Sequence, residues 1–502
     1  MKKYLFLAAF ILAALTTHAQ QDANTAADAV RFSVDNITGT ARFRAMGGAF
    51  GAVGGDLSSI NINPAGAAIF AYNTGTATVS SYNVSNKANY FGTTTRKNDN
   101  AFDLNQLGAI FVFNNNREGA TMNKFTLGFN FENTNSYDNT IFARGVNPNN
   151  SVDKYFLRYA NGVGQEGPIS LSTLENGDYS NLSYLDQQAY LGYNAYAFNP
   201  VTDDDGNTTY RSNVPATGTH YQESNIATTG YNGKVALNFA GQFKKWLYLG
   251  GNVNVHFANY INNTRFYEQT TNTVSSGALQ QLQFNNEKYT YGGGISFNLG
   301  AIAKVTEKFR LGLAYESPTW LRLQDETTQS ITGVTSAGSF TTNPGVTMVS
   351  DDYTIKTPAK YTGSFAYIFG KSALLSVDYA MRNYGNTEFK NYRYNSLNTE
   401  LSNTLDWAGE LRVGAEYRIK AFSLRGGYRY QQSPYKNTNT MGDLMGYSGG
   451  LGFAFGGSRL DLAYTWYQRK SNTSLLNNSA YVDAARVTST NNNITLSYTL
   501  DL

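Results

Sequence analysis

The sequence predicts an all-β fold, a 14-stranded antiparallel transmembrane barrel with an N-terminal hatch, or plug, inside its lumen. Three observations support this prediction. Apolar and polar residues alternate in short runs from about residue 74 onward, the connections between runs alternate between short and long, and a glycine-rich stretch precedes the first run. Alternation with period two turns one set of side chains toward lipid and the other toward the lumen of a barrel.

The first 19 residues have the pattern of a signal peptide. Lys2 and Lys3 are positive, Leu5–Leu15 is apolar, and Thr17–Ala19 offers a small-residue cleavage site before Gln20. The apolar run is too short to span a bilayer as a helix. We therefore expect residues 1–19 to be removed, and the loss of two lysines lowers the formal charge from +3 to +1.

Composition narrows the classes of function. The chain has no Cys, which excludes a lipoprotein anchor, a disulfide scaffold and a thiol nucleophile. Its balanced charge gives no reason to expect nucleic acid as a partner. His220 and His256 lie far apart in the sequence, and Asp203–Asp205 precede a glycine at the wrong place for a calcium loop, so neither a metal nor a cofactor is expected. Aromatic residues, at 14%, suit the girdles of a membrane barrel.

The stretch Thr38–Phe70 neither alternates like a strand nor continues as a long helix. It is dense in glycine, which lets a backbone turn tightly and pack closely against other surfaces. A segment of this kind needs a container, and the strands that follow supply one. We therefore interpret residues 20–73 as the hatch and residues 74–502 as the barrel. The glycines are Gly39, Gly47, Gly48, Gly51, Gly54, Gly55 and Gly66.

Two short motifs in this stretch, Ala45–Ala49 (AMGGA) and Asn63–Ala65 (NPA), resemble the N-terminal hatch of the FadL/OmpP1/TodX family of outer-membrane transporters for hydrophobic compounds. From its residues alone, the second motif is equally well an ordinary turn, because proline fixes φ and removes a donor. The resemblance implies a gate beside a lateral opening in the wall, next to a kinked third strand. Its residues would be Gly47, Gly48, Asn63, Pro64 and Ala65.

Fourteen runs have the pattern of strands. The third is the clearest, because Phe125, Leu127, Phe129 and Phe131 alternate with polar residues, and it shows neither a bulge nor a proline to make a kink. Charged side chains cannot face lipid cheaply, so the aromatic set is predicted to face outward. The predicted strands are Thr76–Val84, Gln106–Phe113, Lys124–Glu132, Val235–Phe239, Leu247–Phe257, Tyr289–Leu299, Phe309–Tyr315, Tyr361–Phe369, Leu375–Met381, Trp407–Ile419, Phe422–Tyr430, Tyr447–Phe455, Leu460–Trp466 and Ile494–Leu502.

The connections predict the orientation of the barrel. Short turns follow the even strands, and long loops follow the odd ones. Because outer-membrane barrels have short periplasmic turns and long extracellular loops, we expect both chain termini on the periplasmic side. The largest interruption, residues 133–229, should be an extracellular excursion. Apolar residues at helical spacing predict amphipathic helices there, although a solvated loop with packed aromatics fits equally well.

Inward-facing charges of both signs share neighbouring strands. They predict ion-pair ladders that hold the wall and anchor the hatch through Arg42 or Arg44, since buried charges are usually paired. Alternatively, one arginine remains free to hold a ligand carboxylate, which a guanidinium group suits. The inward set comprises Glu316, Asp378, Arg382, Glu410, Arg412, Glu416, Arg418, Arg425, Arg429 and Asp461.

The resemblance implies an outer-membrane channel for passive uptake of small hydrophobic molecules, either long-chain fatty acids or aromatic hydrocarbons, gated by the hatch. The alternative on the same barrel is a non-transporting partner protein for secretion or adhesion. No enzyme is expected, because His256 is the one candidate base in the barrel and lies near Asn252 and Asn254. We expect a monomer that contacts outer-membrane lipid and a hydrophobic ligand. The candidate ligand residues are Phe50, Leu57, Phe156, Tyr159, Leu182, Leu185, Arg412, Arg425 and Arg429.

Overall fold

The structure, a computed structural model of the chain, describes residues 24–117, 119–162, 167–215, 218–270, 276–476 and 483–502. The predicted signal peptide, residues 1–19, lies outside the described residues. Strands dominate the rest of the chain. Within the described part, no helix combines the length and the apolar character that a membrane crossing requires.

The strands form a closed barrel of 14, which confirms the predicted fold class. Each wall strand pairs antiparallel with the next, and the first pairs with the last from Thr74↔Asp501 to Asn89↔Arg486, which closes the sheet. In chain order the wall strands are β1 Thr74–Tyr90, β2 Thr93–Asn114, β3 Met122–Ser136, β4 His220–Phe243, β5 Leu247–Thr270, β6 Leu279–Lys304, β7 Phe309–Glu316, β8 Lys360–Phe369, β9 Ala373–Asn383, β10 Trp407–Ile419, β11 Phe422–Gln431, β12 Met441–Phe455, β13 Ser458–Ser474 and β14 Ala484–Asp501.

Side chains alternate across the wall with the predicted period. On β6, Ile295, Phe297 and Leu299 are exposed on the outside, while Ser296 and Asn298 between them are buried on the lumen side. No water is present in the bilayer core to satisfy backbone groups, so a membrane-spanning sheet must close on itself. The outward apolar residues and the closed ladder together make a wall that lipid can surround.

Short turns join the strands at the end predicted to be periplasmic. Lys420–Ala421 joins β10 to β11, and Gly456–Gly457 joins β12 to β13. At the other end, strands continue far beyond the predicted runs, and β1 and β2 meet in the two-residue turn Phe91–Gly92. The polar residues of these extensions continue the antiparallel ladder as far as Tyr90↔Thr93, beside the turn. Pairing above the bilayer needs no apolar side chains. Period-two alternation of apolar residues therefore marked only the part of each strand that crosses lipid.

β3 contains an irregularity that its sequence does not reveal. Its ladder with β4 shifts register between Asn133 and Asn135, so Thr134 is an extra, bulged residue. The ladder between β2 and β3 ends nearby at Gln106↔Glu132. The run Phe125–Phe131 itself pairs without interruption, as its alternation predicted. The bulge lies in polar residues just after the aromatic run, where alternation gives no signal.

The hatch lies inside the barrel, as predicted. It is built from short pieces of helix joined by glycine turns, and five of its glycines have positive φ. Such a chain can follow the curved wall closely, because each positive-φ glycine reverses the backbone without a side-chain clash. The pieces are α1 Ala26–Ser33, α2 Ala41–Ala45, α3 Ser59–Ile62 and the 3-10 helix Pro64–Ile69.

The hatch runs from the extracellular end of the lumen to the periplasmic end. Lys288, on the extracellular half of β6, donates a hydrogen bond to Asn24 over 3.0 Å. Val30 and Phe32 of α1 pack in one apolar cluster with Leu401, on a helix of the extracellular loops. The N-terminus, predicted on the periplasmic side, lies outside the described residues, and the first of these, Asn24, is at the end of the long loops because α1 buries its apolar face under them. Leu502 lies at the periplasmic end, where its amide bonds to Asn73.

The extracellular excursion is shorter than predicted. Strand Asn139–Asn147 pairs with the extracellular half of β4, from Asn139↔Thr228 to Asn147↔His220. The part of the excursion outside the strands that pair with the wall therefore lies between residues 147 and 220, rather than across 133–229. Its polar residues gave no alternation from which this pairing could be recognised.

Helices of the excursion form a cap over the extracellular end, and they confirm the prediction of short amphipathic helices. They share one buried apolar core with extracellular strand ends, and that core includes Phe156, Leu191 and Phe266. The remaining helices are α4 Asp153–Ala160, α5 Leu171–Asn176 and α6 Tyr184–Asn194 in the cap, and α7 Asn395–Thr404 in a later loop.

Candidate functional site

A cavity of about 120 Å³ lies between the hatch and the barrel wall. Phe32, Ile37 and Phe43 of the hatch give it an apolar side, together with Leu321. Charged residues of both signs line the rest, among them Asp35, Glu132, Lys234, Lys360, Arg382, Glu410, Arg412 and Arg429. An apolar lining with a few placed polar groups is typical of small-molecule sites, which usually enclose roughly 300–1,000 Å³. A long ligand would therefore need more room than the hatch leaves in this arrangement.

Arg412 stands out among the cations of this cavity. It is 2% exposed, and its Nε and Nη2 atoms are buried with no hydrogen-bond partner among the described residues. Its nearest carboxylate is that of Asp378, with 4.0 Å between Nη2 and Oδ2, which is too long for a hydrogen bond. Burying a charge without a hydrogen-bonded partner costs several kcal/mol, or roughly 3–5 when a pair is broken. An anion in the cavity would relieve that cost.

The other arginines that the sequence places on this wall have acidic partners. Arg429 bonds to Glu410 over 2.7 Å, and Arg382 bonds to Asp35 and Glu316 over 3.1 Å each. The pairs of Asp35 with Arg382 and with Lys360, the latter at 2.6 Å, tie the hatch to β9 and β8. The wall therefore carries the predicted ion pairs, and the contact between Arg412 and Asp378 differs from them in its length of 4.0 Å and in having no hydrogen bond.

Contacts with the hatch explain why Arg412 makes no hydrogen bond to the Asp378 carboxylate. Both carboxylate oxygens of Asp378 accept backbone hydrogen bonds from the hatch, at 3.0 Å from the Phe50 amide and 3.0 and 3.2 Å from the Gly51 amide. Asp378 and Arg412 are directly opposite each other on β9 and β10. The carboxylate that would pair with Arg412 across the strands is thus used to hold the hatch.

The Asn63–Ala65 motif docks the hatch on the wall. Asn63 Nδ2 donates to Gly51 in the hatch over 2.7 Å and to Ala301 and Leu313, across the β6–β7 seam, over 3.0 and 3.3 Å. Pro64 begins the 3-10 helix, and its carbonyl accepts from Asn238 on β4 over 3.1 Å. One side-chain amide therefore joins two turns of the hatch and two strands of the wall.

Glycines on both partners make this contact possible. A Cβ added at Gly300 would lie 2.0 Å from Asn63 Oδ1, and one at Gly414 would lie 2.4 Å from the carbonyl of Met46. On the hatch side, Gly47 has φ +61 and lies against the backbone of Tyr428, while Gly48 has φ +77. At Gly47 and Gly414 backbone approaches backbone, and at Gly300 the backbone of the wall approaches the Asn63 side chain, which only residues without a side chain allow.

The cavity reaches the barrel wall at the bulge in β3. Thr134 and Asn135 line it there, together with Asn232 and Gly233 of β4. The hatch covers the same place from inside, since Asn36 bonds to Asn135 over 2.6 Å and Thr38 bonds to Glu132 over 2.7 Å. Bulges often lie beside functional sites, where they interrupt regular pairing.

The remaining candidate ligand residues lie elsewhere. Arg425 is buried between Glu416 and Asp461, at 2.6 and 2.7 Å. Phe50 packs with Phe43 and Met46 inside the hatch, and Leu57 packs against the wall near Ile110. Phe156, Leu182 and Leu185 are buried in the cap, and Tyr159 is half-buried there. The structure thus brings Arg412 and Arg429 together at the cavity and places the other seven outside its lining.

Sequence reasoning missed several lining residues. Lys234 on β4 follows the parity of Ala236 and Asn238, so its inward direction was readable from the strand pattern. Asp35, Ile37 and Phe43 belong to the hatch, and no periodicity there indicates which side chains face a cavity. Their placement depends on how the glycine turns fold.

Ser448 stands in a Gly-x-Ser-x-Gly spacing, residues 446–450, which is the spacing of a hydrolase nucleophile elbow. Here it lies within β12 rather than on a strand-to-helix turn. Its hydroxyl donates to the carbonyl of Ala45 over 3.0 Å and accepts from the amide of Gly47 over 3.1 Å. The residue therefore anchors the hatch.

The fold and the site invite comparison with known proteins. The model of the outer membrane protein transport protein family (OMPP1/FadL/TodX) matches residues 192–501, from α6 to the last strand. This chain belongs to that family. The matched range does not include the hatch, whose motifs carried the resemblance, so the barrel confirms the family independently.

Members of the OMPP1/FadL/TodX family are outer-membrane barrels, so this chain is an outer-membrane transport-family protein and not an enzyme. A FadL homologue of Pseudomonas aeruginosa is 14% identical, with a TM-score of 0.55, and the match covers 93% of this chain and 99% of that one. The toluene transporter TodX of Pseudomonas putida is 13% identical, with a TM-score of 0.50, over 94% and 100%. At these identities the likeness shows the fold. No curated protein sequence matches this chain.

Proposed function

We propose that this protein takes up small hydrophobic molecules passively across the outer membrane, and that those with an acidic head group bind at Arg412. The observation that carries the proposal is the buried Arg412 guanidinium beside a cavity whose hatch side is apolar. Guanidinium groups bind carboxylates through paired hydrogen bonds, and an apolar tail would pack against Phe43 and Ile37. Related barrels, such as the toluene transporter TodX, support a hydrophobic substrate.

The hatch, residues 20–73, would act as the gate. It fills the lumen, which argues against a general diffusion porin with an open aqueous channel. The cavity is too small for a long acyl chain, so binding requires the hatch to move. Asp378 holds the hatch amides and faces Arg412, so an anion that draws Arg412 into the cavity would act next to this anchor. Gly47, Gly48 and Asn63–Ala65 would be the points about which the hatch shifts.

The bulge in β3 would be the exit. The cavity reaches the wall at Thr134, and the hatch residues Asn36 and Thr38 cover it there. Withdrawal of these two residues would connect the cavity with the wall beside the bulge. Phe156, in the core of the cap, would contact a ligand only when the cap opens, because it is fully buried, whereas Tyr159 is half-buried.

Uptake measurements in a host strain that lacks its own transporter of this family would test the proposal. Cells that carry the wild-type protein should take up labelled laurate and labelled toluene faster than cells that carry an empty vector. Arg412→Leu should lower laurate uptake about ten-fold or more, since one charge-assisted contact is worth roughly 1.5–3 kcal/mol, while toluene uptake stays unchanged.

Arg425→Leu is the matched control, because this arginine lies on the neighbouring strand and has two acidic partners away from the cavity. This variant should change laurate uptake and toluene uptake by the same factor, if it changes them at all. Uptake of neither solute above the empty vector, together with a protein that co-purifies in stoichiometric amount, would instead favour a partner protein for secretion or adhesion.

A further inference from the structure

We propose a second anion site at the periplasmic end of the barrel, which binds the oxyanion head group of an amphipathic lipid. Two sources share this chemistry: the phosphate of a phospholipid in the inner leaflet, and the carboxylate of a fatty acid that leaves the lumen. The site is separate from the Arg412 cavity, so binding of a phospholipid there does not depend on the uptake proposed above, whereas binding of a departing fatty acid rests on that proposal.

The site is a pocket of about 440 Å³ between the hatch and the periplasmic ends of β7–β10. The hatch contributes the turn Val53–Gly55, and the wall contributes the turn between β8 and β9. Gly54 and Gly55 both have positive φ, at +63 and +64, so the turn is tight and keeps side chains out of the space. Ile69 and Leu374 give the pocket apolar surface beside its charges.

The lining carries an excess of positive charge. Of the described residues that form it, Arg42, Arg310, Lys371 and Arg418 are basic, and Glu416 is the one acid. That acid is already shared: Arg42, Arg418 and Arg425 contact its oxygens at 2.8, 2.7 and 2.6 Å. Arg425 also pairs with Asp461, at 2.7 Å, so within the pocket Glu416 serves Arg42 and Arg418. Among the described residues, neither Arg310 nor Lys371 forms an ion pair with this acid, so the pocket attracts a further anion.

Arg310 and Lys371 can bind the further anion. Arg310 donates from Nη1 to the carbonyl of Val53 over 3.0 Å, and its buried Nε has no hydrogen-bond partner among the described residues. Lys371 lies in the exposed turn at the pocket mouth. A planar guanidinium group and a nearby ammonium group match the geometry of a phosphate or a carboxylate.

The height of the pocket fits a lipid head group. Phe369 and Ile419, at the periplasmic ends of β8 and β10, are exposed on the outside of the wall and mark the lower edge of the apolar band. Gly370 and Lys371, which directly follow Phe369, line the pocket, so its rim lies next to this edge. An acyl chain could therefore lie along the wall or along Ile69 and Leu374, with its head group at Arg310.

Native mass spectrometry of the detergent-purified full chain would test this site. Phosphatidylglycerol, phosphatidylethanolamine and laurate would be titrated onto wild type and onto the double variant Arg310→Gln/Lys371→Gln. The laurate series would use an Arg412→Leu background, so the cavity in the lumen does not contribute. The double variant should weaken binding of at least one anion about ten-fold or more, with a smaller loss for phosphatidylethanolamine, whose ammonium group offsets its phosphate.

The control is Lys154→Gln/Lys436→Gln, which removes two exposed extracellular lysines that donate to uncharged oxygens only. Heat-modifiable migration on a gel would show that each variant is folded. Weakened phosphatidylglycerol binding assigns the site to a phospholipid, weakened laurate binding assigns it to a departing acid, and loss of both assigns it to the shared head group. Unchanged binding of both anions, or an equal change in the control, overturns the proposal.

Discussion

Arg42 of the hatch and Glu416 of the wall form a buried ion pair, with 2.8 Å between Nε and Oε2. Their partners differ in number. Arg42 Nη1 also donates to the carbonyl of Gly55 over 3.1 Å, whereas Glu416 holds Arg418 and Arg425 in addition to Arg42. Removal of the Glu416 carboxylate should therefore break more contacts than removal of the Arg42 guanidinium group.

Glu416→Gln should loosen the hatch more than Arg42→Gln does. The first change removes the shared carboxylate from Arg42, Arg418 and Arg425, of which Arg425 keeps Asp461 at 2.7 Å, while the second leaves Glu416 with two other arginines. Breaking a buried ion pair costs roughly 3–5 kcal/mol. We expect Glu416→Gln to destabilise the hatch by about that much and Arg42→Gln to destabilise it by less. Conductance in planar bilayers would measure the effect, with frequent channel openings expected for Glu416→Gln. Equal opening of the two variants would contradict this prediction.

Gly414→Ala should disturb the contact between hatch and wall. A Cβ at this position would lie 2.4 Å from the carbonyl of Met46 and 2.8 Å from its Cβ, so the hatch must shift. Overpacking of this kind costs roughly 1–3 kcal/mol. Gly426 on the next strand is the matched control, because a Cβ there meets nothing within 4 Å. The urea midpoint should fall for Gly414→Ala alone, and a similar fall for Gly426→Ala would refute the explanation.

Single cysteines should report the orientation of the barrel in intact cells. The chain has no Cys, so Asn437→Cys and Ser372→Cys each introduce a unique label site, and both residues are exposed. Asn437 lies in a long extracellular loop, whereas Ser372 lies in the turn between β8 and β9. A membrane-impermeant maleimide should modify Asn437→Cys only. Modification of Ser372→Cys alone would reverse the assignment.

The sequence could predict the barrel but not the partners inside it. Alternation marked each lipid-facing run, yet it stopped where β1 and β2 rise above the bilayer, because their polar residues pair without an apolar face. Parity placed both Arg412 and Arg425 toward the lumen. Each is opposite an acid on a neighbouring strand, Asp378 and Glu416.

Only the hatch distinguishes these two arginines. Asp378 accepts the amides of Phe50 and Gly51 and lies 4.0 Å from Arg412 without a hydrogen bond, whereas Glu416 bonds directly to Arg425. These contacts join residues more than 300 positions apart, since Asp378 and Phe50 are separated by 328. No local pattern encodes such a contact, so the sequence could place Arg412 among the candidate ligand residues but could not distinguish it from the other arginines.

Glu268 makes the stability of the cap depend on pH. It lies in the extracellular part of β5, beyond the lipid-facing residues Leu249–Val255, and its carboxylate accepts from the amide of Val152 over 2.9 Å and from Gln222 over 2.6 Å. It also accepts from the Ser151 hydroxyl. Burial raises the pKa of Glu268 from about 4.5 to about 7, and the nearby Asp153 adds to the effect. Ionisation is therefore harder in the folded cap than in the unfolded chain.

A carboxyl group with a raised folded-state pKa stabilises the folded state fully below its unfolded pKa, and this contribution is lost as the pH rises. The cap should thus lose protection between about pH 4.5 and about pH 7. Since one pH unit corresponds to about 1.4 kcal/mol, the loss is roughly 3 kcal/mol. Glu268→Gln keeps the size of the side chain and removes its charge. Hydrogen exchange of α4 amides, corrected for the intrinsic pH dependence of exchange, should therefore show a pH-dependent loss of protection in the wild type and a flat profile in Glu268→Gln. The same slope in both proteins would show that another group, such as His220 at 3.8 Å, controls the cap.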